Sequence, residues 1–276
     1  MAQMAQMAQM AQMAHMKKRN RSSSEPDITY FELQAYVGTT KHMGGFEATK
    51  ELIELCHVDG DTYVLDVGCG AGATACYLAE AYGCRVVGVD LREAMVARSK
   101  ERAQKLGVTD RVAFRVADAQ DLPFDDGTFD AVLCESVATF IEDKERVVGE
   151  LARVARPGGW VGFNEEIWLQ PPPPEVVEHV KRMWPIKPNV PTAEGWEALL
   201  RDAGLQEVVT SVYKVDPRRE ASQVKRYTWG DMFRMFWRAL VLYVRSPEFR
   251  AYMKRQGQLP KGVFEYLGYA TVVGRR

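Results

Sequence analysis

The run Val64-Leu65-Asp66-Val67-Gly68-Cys69-Gly70-Ala71-Gly72-Ala73-Thr74-Ala75 constrains this chain more than any other stretch. An apolar strand with an acid near its end enters a glycine-rich turn and then a helix, which packs back through Tyr77 and Leu78. Glycines at alternate positions let the backbone turn sharply and approach a ligand where a Cβ would collide. A second apolar strand, Val86-Val87-Gly88-Val89-Asp90, ends in an acid about 20 residues beyond the glycines, the place from which a carboxylate reaches both hydroxyls of a ribose.

Two cofactor classes satisfy this pattern. Gly68, Gly70 and Ala73 match the dinucleotide spacing G-x-G-x-x-G/A, whereas Gly68, Gly70 and Gly72 match the G-x-G-x-G spacing that suits S-adenosylmethionine. The surroundings add further strands. Val112 to Val116 is a third, followed by Ala117-Asp118-Ala119-Gln120-Asp121-Leu122-Pro123-Phe124 and the turn Asp125 to Asp130. Ala131-Val132-Leu133-Cys134 is a fourth strand, and a helix ending in Arg153-Val154-Ala155-Arg156, the turn Pro157-Gly158-Gly159 and a fifth strand, Trp160 to Phe163, come next. In open α/β sheets ligands bind beyond the carboxyl ends of the strands, so acids at four successive strand ends would converge on one site.

This succession closely resembles the class I S-adenosylmethionine-dependent methyltransferases, especially the small-molecule branch that includes the ubiquinone/menaquinone methyltransferases (methyltransferase type 11), over roughly residues 46 to 166. The resemblance implies an α/β, Rossmann-like, seven-stranded sheet, mostly parallel with an antiparallel last strand, and helices on both faces. It implies S-adenosyl-L-methionine as cofactor and S-adenosyl-L-homocysteine as product. Asp66, Gly68, Cys69 and Gly70 would lie against the methionyl part, and Asp90 would hold the ribose hydroxyls. Leu91 would cover an adenine face, Asp118 and Ala119 would meet the adenine edge, and Glu135 and Ser136 would line the methionyl end. The segment before the first strand would form a wall of the site, which makes Tyr36, His42 and the Gly44-Gly45 turn lid candidates; packing of Tyr36 on the sheet is the alternative.

With 276 residues, 46% of them hydrophobic, the chain can bury one sizeable core and one elaborated domain. Residues 1–27 open with four Met-Ala-Gln repeats and continue through a basic, serine-rich stretch, a composition that predicts disorder. The expected domain then runs over 28–276, with a lid at 28–46, a cofactor-binding core at 47–166 and a C-terminal part at 167–276. No apolar run reaches the length of about 20 residues that spans a bilayer, so a cytoplasmic location is expected. Cys56, Cys69, Cys76, Cys84 and Cys134 are odd in number and contain no C-x-x-C pair, and the four histidines show no metal spacing, so no metal site is expected.

Charge is unevenly spread. Residues 47–166 carry 13 Lys/Arg against 23 Asp/Glu, while residues 211–276 carry 14 against 5. The basic C-terminal part suits an anionic substrate, an anionic membrane surface or RNA, or is a solvated face balancing an acidic one. A capped helix, Thr192 to Gly204, precedes a sixth strand over 205–215, and residues 263–273 read as a last strand, which the family resemblance implies lies antiparallel between the fifth and sixth. The insertion between them, about 216–262, carries Trp229, Met232, Phe233, Phe236, Trp237, Leu240, Val241 and Val244 at helical spacing. Such a stripe suits a lid over a hydrophobic or aromatic acceptor, a homodimer contact, a basic helix peripheral to an anionic membrane, or plain core.

Methyl transfer is an in-line displacement that depends mainly on positioning and exclusion of water. An O-, N- or C-nucleophile that starts protonated needs a base, and Glu165, Glu166, His42 and Glu135 lie near the expected mouth; Glu165 and His42 are the favoured candidates. The fourth strand leads into Cys134-Glu135-Ser136-Val137 rather than an Asn/Asp-Pro-Pro-Tyr/Phe tetrad, which argues against a nucleic acid and for a small-molecule acceptor. A nucleic-acid methyltransferase using the basic C-terminal region, a non-catalytic cofactor-binding protein and a dehydrogenase are the competing readings.

Overall fold

The computed structural model describes residues 34, 36–39, 42–183, 189–256 and 262–276. The expected leader over 1–27 and residues 28–33 of the expected lid lie outside them. Strands β1 (Tyr63–Val67), β2 (Arg85–Asp90), β3 (Val112–Val116), β4 (Phe129–Glu135), β5 (Ala155–Trp168), β6 (Gln206–Lys214) and β7 (Leu267–Arg275) form one sheet in the order β3-β2-β1-β4-β5-β7-β6. The five strands from β3 to β5 run parallel, and β7 is antiparallel to both of its neighbours, β5 and β6. This is the Rossmann-like sheet that the resemblance implies.

Val64, Leu65 and Val67 are buried because β1 is covered on both faces, which is why it reads as an unbroken apolar run rather than an alternating one. On one face, α1 (Gly45–Leu55), α2 (Ala73–Ala81) and α3 (Glu93–Leu106) place Leu52, Leu78 and Val96 against Val64, Val86 and Leu133. On the other, α4 (Lys144–Val154) and α6 (Ala193–Asp202) place Leu151 and Trp196 against Leu65, Val132 and Phe163. Trp196 is fully buried, stacks on Phe163 at 5.8 Å and donates its indole N–H to the Glu166 carbonyl. Caps set where these helices begin: Asp143 accepts from the Arg146 N–H and Thr192 from the Gly195 N–H. Between them α5 (Pro174–Met183) follows β5.

Two expectations are corrected. Pro157-Gly158-Gly159 does not end before the fifth strand; it lies inside β5, where the register slips between Phe129 and Ala131 of β4 and Gly158 takes a φ of +77°. The last strand starts four residues later than the apolar run suggests, because Val263–Tyr266 forms a helical turn, α10. The described residues of the 216–262 insertion form α7 (Pro217–Ala221), α8 (Trp229–Arg245) and α9 (Pro247–Gln256), and the stripe of α8 faces outwards rather than into a core: Trp229 is 86% exposed, and Phe233, Phe236, Trp237 and Val244 are all exposed. Arg234, Met235 and Arg238 take the inward side instead. No described helix is long and apolar enough to cross a membrane.

Candidate functional site

The strand order reverses between β1 and β4, and a cleft opens there beyond the strand ends, as open α/β sheets dictate. Its floor is the β1–α2 turn. Gly68 has φ +71°, and a Cβ on it would strike the Val137 side chain, so this position requires glycine both for its conformation and for its packing. Asp66, at the end of β1, is 3% exposed and lines the cleft together with Gly68, Cys69 and Gly70.

Asp90 closes one side. Its Oδ2 accepts the Gly70 N–H at 3.0 Å and its Oδ1 the Arg92 N–H at 2.9 Å. Burial pushes its carboxyl above the ordinary carboxylate value, against the pull of those two N–H groups. Each carboxylate oxygen retains acceptor capacity for a ligand diol. Leu91 beside it is 61% exposed, an apolar side chain turned into the cleft rather than into the core. Asp118 and Ala119 line the opposite side, where Asp118 Oδ1 accepts both the backbone N–H and the side-chain amide of Gln120.

At the end of β4, Glu135 joins three elements. Its Oε2 accepts the Thr49 hydroxyl of α1 at 2.7 Å and its Oε1 the Thr74 hydroxyl of α2 at 2.9 Å, while His42 Nε2 stands 3.5 Å from Oε2. The other ring nitrogen of His42 lies 3.1 Å from the Asn164 side-chain amide nitrogen, which also donates to the Met43 carbonyl. His42 is 5% exposed, and its backbone carbonyl accepts the Gln223 amide of the insertion. Ser136 adopts φ +50°, donates its N–H to the Asn164 carbonyl at 2.7 Å and its hydroxyl to Glu166 Oε1 at 3.2 Å. A side chain held in the left-handed region at the mouth of a cleft is strain that the surroundings sustain.

Ten of the eleven expected cofactor-binding residues therefore line this cleft, and so does His42. Tyr36 does not; it is half-buried, and Gln34 takes the wall position instead. Glu165 is also corrected as a base. It is fully buried, Oε1 accepts the Val137 and Ala138 N–H groups, and Oε2 accepts the Thr139 N–H and hydroxyl. These bonds spend both oxygens on holding the short 3-10 turn Ala138–Phe140. Alternation along β5 sends neighbouring side chains to opposite faces, so Glu166 and Asn164, not Glu165, reach Ser136 and His42. Thr49 and Thr74 were overlooked, although a threonine on the buried face of α1 beside Ala48, Leu52 and Ile53 is a polar interruption that signals a partner.

The acceptor set fits S-adenosylmethionine: a carboxylate for a ribose diol, an exposed leucine for an adenine face, and a glycine floor open to close approach. A profile of the family described as "Methyltransferase domain" matches residues 65–163. An uncharacterized protein of Haemophilus influenzae is 30% identical over 179 residues, covering 64% of this chain and 71% of that protein. The 27-O-demethylrifamycin SV methyltransferase of Amycolatopsis mediterranei is 32% identical over 169 residues, with 60% of this chain and 59% of that enzyme covered, so less than two thirds of that enzyme is spanned. Among solved structures, the [4+2]-cyclase SpnF superposes with a TM-score of 0.67 at 20% identity, over 93% of this chain and 99% of its own. With its sheet order, its glycine floor and these relatives together, the chain belongs to the class I S-adenosylmethionine-dependent methyltransferase family.

Proposed function

We propose that the chain transfers the methyl group of S-adenosylmethionine to a small acceptor with an apolar or aromatic body. The observation that carries this reading is the wall beside Ser136: Val137, Phe140 and Ile141 line the cleft together with the His42–Glu135 pair, so one end offers apolar surface and a site that takes a proton. When bound, the cofactor supplies an electrophilic methyl group on a sulfonium centre. Asp90 holds and orients it, and Leu91 and the Val137–Ile141 wall exclude water, which leaves positioning as the main source of acceleration. Where the acceptor carries a proton, the His42–Glu135 pair takes it up, Nε2 and Oε2 standing 3.5 Å apart. Thr49 and Thr74 fix the Glu135 carboxylate so that it faces the ring.

Parallel isothermal titrations with S-adenosylhomocysteine and NADH, on the wild type and on Asp90→Ala, test the cofactor half of this reading. Micromolar binding of the former alone, lost in the variant, is the expected result; binding of NADH alone refutes it. Incubation with labelled S-adenosylmethionine and a panel of phenolic, hydroxylated and amine acceptors then tests transfer. Cofactor binding without label transfer to any of them favours a non-catalytic binding protein.

A further inference from the structure

Trp229, Phe233, Phe236, Trp237, Leu240 and Val244 fall at i, i+4, i+7, i+8, i+11 and i+15 of α8 and are all exposed, so they form one stripe along a helix about 25 Å long. Single apolar side chains on a surface are ordinary, whereas a continuous stripe marks a contact. The opposite side of the helix, with Arg234 and Arg238, meets the body of the fold, so the stripe points away from it. Four of its six residues are tryptophan or phenylalanine, the side chains that settle at the boundary between headgroups and acyl chains. With 17 residues and three arginines, α8 is built to lie on a bilayer rather than to cross it.

Charge selects what the stripe meets. By sequence, α8 and α9 carry six Lys/Arg against two acids, Asp231 and Glu248. Asp231 belongs to the inward side, where its Oδ1 lies 2.6 Å from Arg234 and its Oδ2 accepts the Thr228 hydroxyl at 2.8 Å. Arg245 ends α8, and Arg250 and Lys254 follow at i and i+4 on α9; all three are exposed. Arg250 marks the junction with the stripe, since one Nη donates to the Tyr243 and Val244 carbonyls at 2.7 and 3.1 Å, beside the exposed side chains of those two residues. An aromatic stripe ending in cations complements a surface that is anionic outside and apolar beneath. A second copy of this chain would set the same cations against it.

We propose that the outward face of α8 docks on an anionic lipid bilayer, with the stripe in the interface and the cations at its C-terminal end against lipid phosphates. The helix is tied to the wall of the cofactor cleft: an Arg238 Nη donates to the Val37 carbonyl at 3.4 Å, and Gln34, one turn earlier, lines that cleft. Attachment therefore holds the cleft at a surface where apolar acceptors concentrate. That consequence rests on the methyl-transfer reading; the docking itself does not, since none of the stripe residues lines the cofactor cleft.

The test is co-sedimentation of the full chain with phosphatidylglycerol and with phosphatidylcholine vesicles at low and at moderate salt, with S-adenosylhomocysteine titrated in parallel. Saturable binding to the anionic vesicles is expected, weakened by salt, with little binding to phosphatidylcholine. It should fall tenfold or more in Phe233→Ser/Phe236→Ser, and should weaken and lose salt dependence in Arg250→Gln/Lys254→Gln, while S-adenosylhomocysteine affinity stays unchanged in both variants. All four positions are exposed, and the first variant keeps Trp229 and Trp237, whose emission should shift to the blue on anionic vesicles and be quenched by brominated lipid in the wild type only. Equal binding to both lipids, no binding to phosphatidylglycerol, or equal binding by wild type and a folded Phe233→Ser/Phe236→Ser overturns the proposal. A dimer in sedimentation velocity that Phe233→Ser/Phe236→Ser disperses, without vesicle binding, overturns it as well and assigns the stripe to a second copy.

Discussion

Replacing Glu165 by glutamine separates a structural carboxylate from a catalytic one. Glu165 receives four hydrogen bonds from the turn it caps, two on each oxygen, at 2.6 to 2.9 Å. A glutamine of the same shape has one acceptor oxygen and an NH2 group. Turned with the NH2 group towards Thr139, whose hydroxyl rotates to accept, it leaves one donor, the Thr139 N–H, facing another donor; turned the other way it leaves two. A hydrogen bond to a charged group contributes roughly 1.5–3 kcal/mol and a buried donor left unmade costs about as much as it gains, so the first orientation, with one lost, gives about 1.5–3 kcal/mol. Burial raises the Glu165 carboxyl and the four donors lower it, so part of this cost is returned by removing a buried charge; the lower end, about 1.5 kcal/mol, is the expected figure. For a chain of this size that is a fall of about 3–6 °C in Tm. Urea and thermal unfolding read it directly. The residual folded protein should still bind S-adenosylhomocysteine, because Glu165 does not line the cleft. A Glu165→Gln protein as stable as wild type, yet inactive in methyl transfer, would refute the argument and restore Glu165 as the base.

Asp90→Ala should weaken S-adenosylhomocysteine by a hundredfold or more, since two charge-assisted bonds at about 1.5–3 kcal/mol each are removed. With the wild type, affinity should fall as pH is lowered, starting above the ordinary carboxylate range because burial raises Asp90; calorimetry from pH 8 to 5 shows this, and a flat profile contradicts it. Glu166→Gln should stabilise the protein at alkaline pH. Burial, then the Glu165 charge, raises the Glu166 carboxyl in the folded state, so its contribution is complete below the unfolded value of 4.5 and is lost as pH rises through the folded value; the gain from the substitution should therefore vanish in acid. Gly68→Ala should lower Tm, with about 1 kcal/mol from the left-handed backbone and more from the Val137 overlap, and Val137→Ala should relieve the second part only.

The cofactor half of the site was readable because its rules are local: a glycine turn, an acid at the end of the next strand, an acid after the third. Each residue's task there follows from its distance along the chain to a strand end. The acceptor half is built from contacts the chain order does not display. Thr49 reaches Glu135 across 86 residues and Asn164 reaches His42 across 122, and adjacency made Glu165 and Glu166 interchangeable until the pleat sent them to opposite faces. Tyr36 and Gln34 are two residues apart, and the turn of the backbone chose between them. For α8, periodicity identified the helix and its stripe but not the sign of its orientation, since hydrophobic spacing says which residues share a face and not what that face meets.

The placement of β7 has a bearing on how the chain assembles at the ribosome. Strand β6 has a single neighbour in the sheet, and that neighbour is made later than everything from β1 to α9. The parallel half can close around its switch point while synthesis continues, but the backbone groups of β6 wait for residues 267–275 to emerge and wedge in beside β5. Until then β5 and β6 are two open edges of the kind that pair with the wrong chain, so this protein should depend on holding chaperones late in translation rather than early.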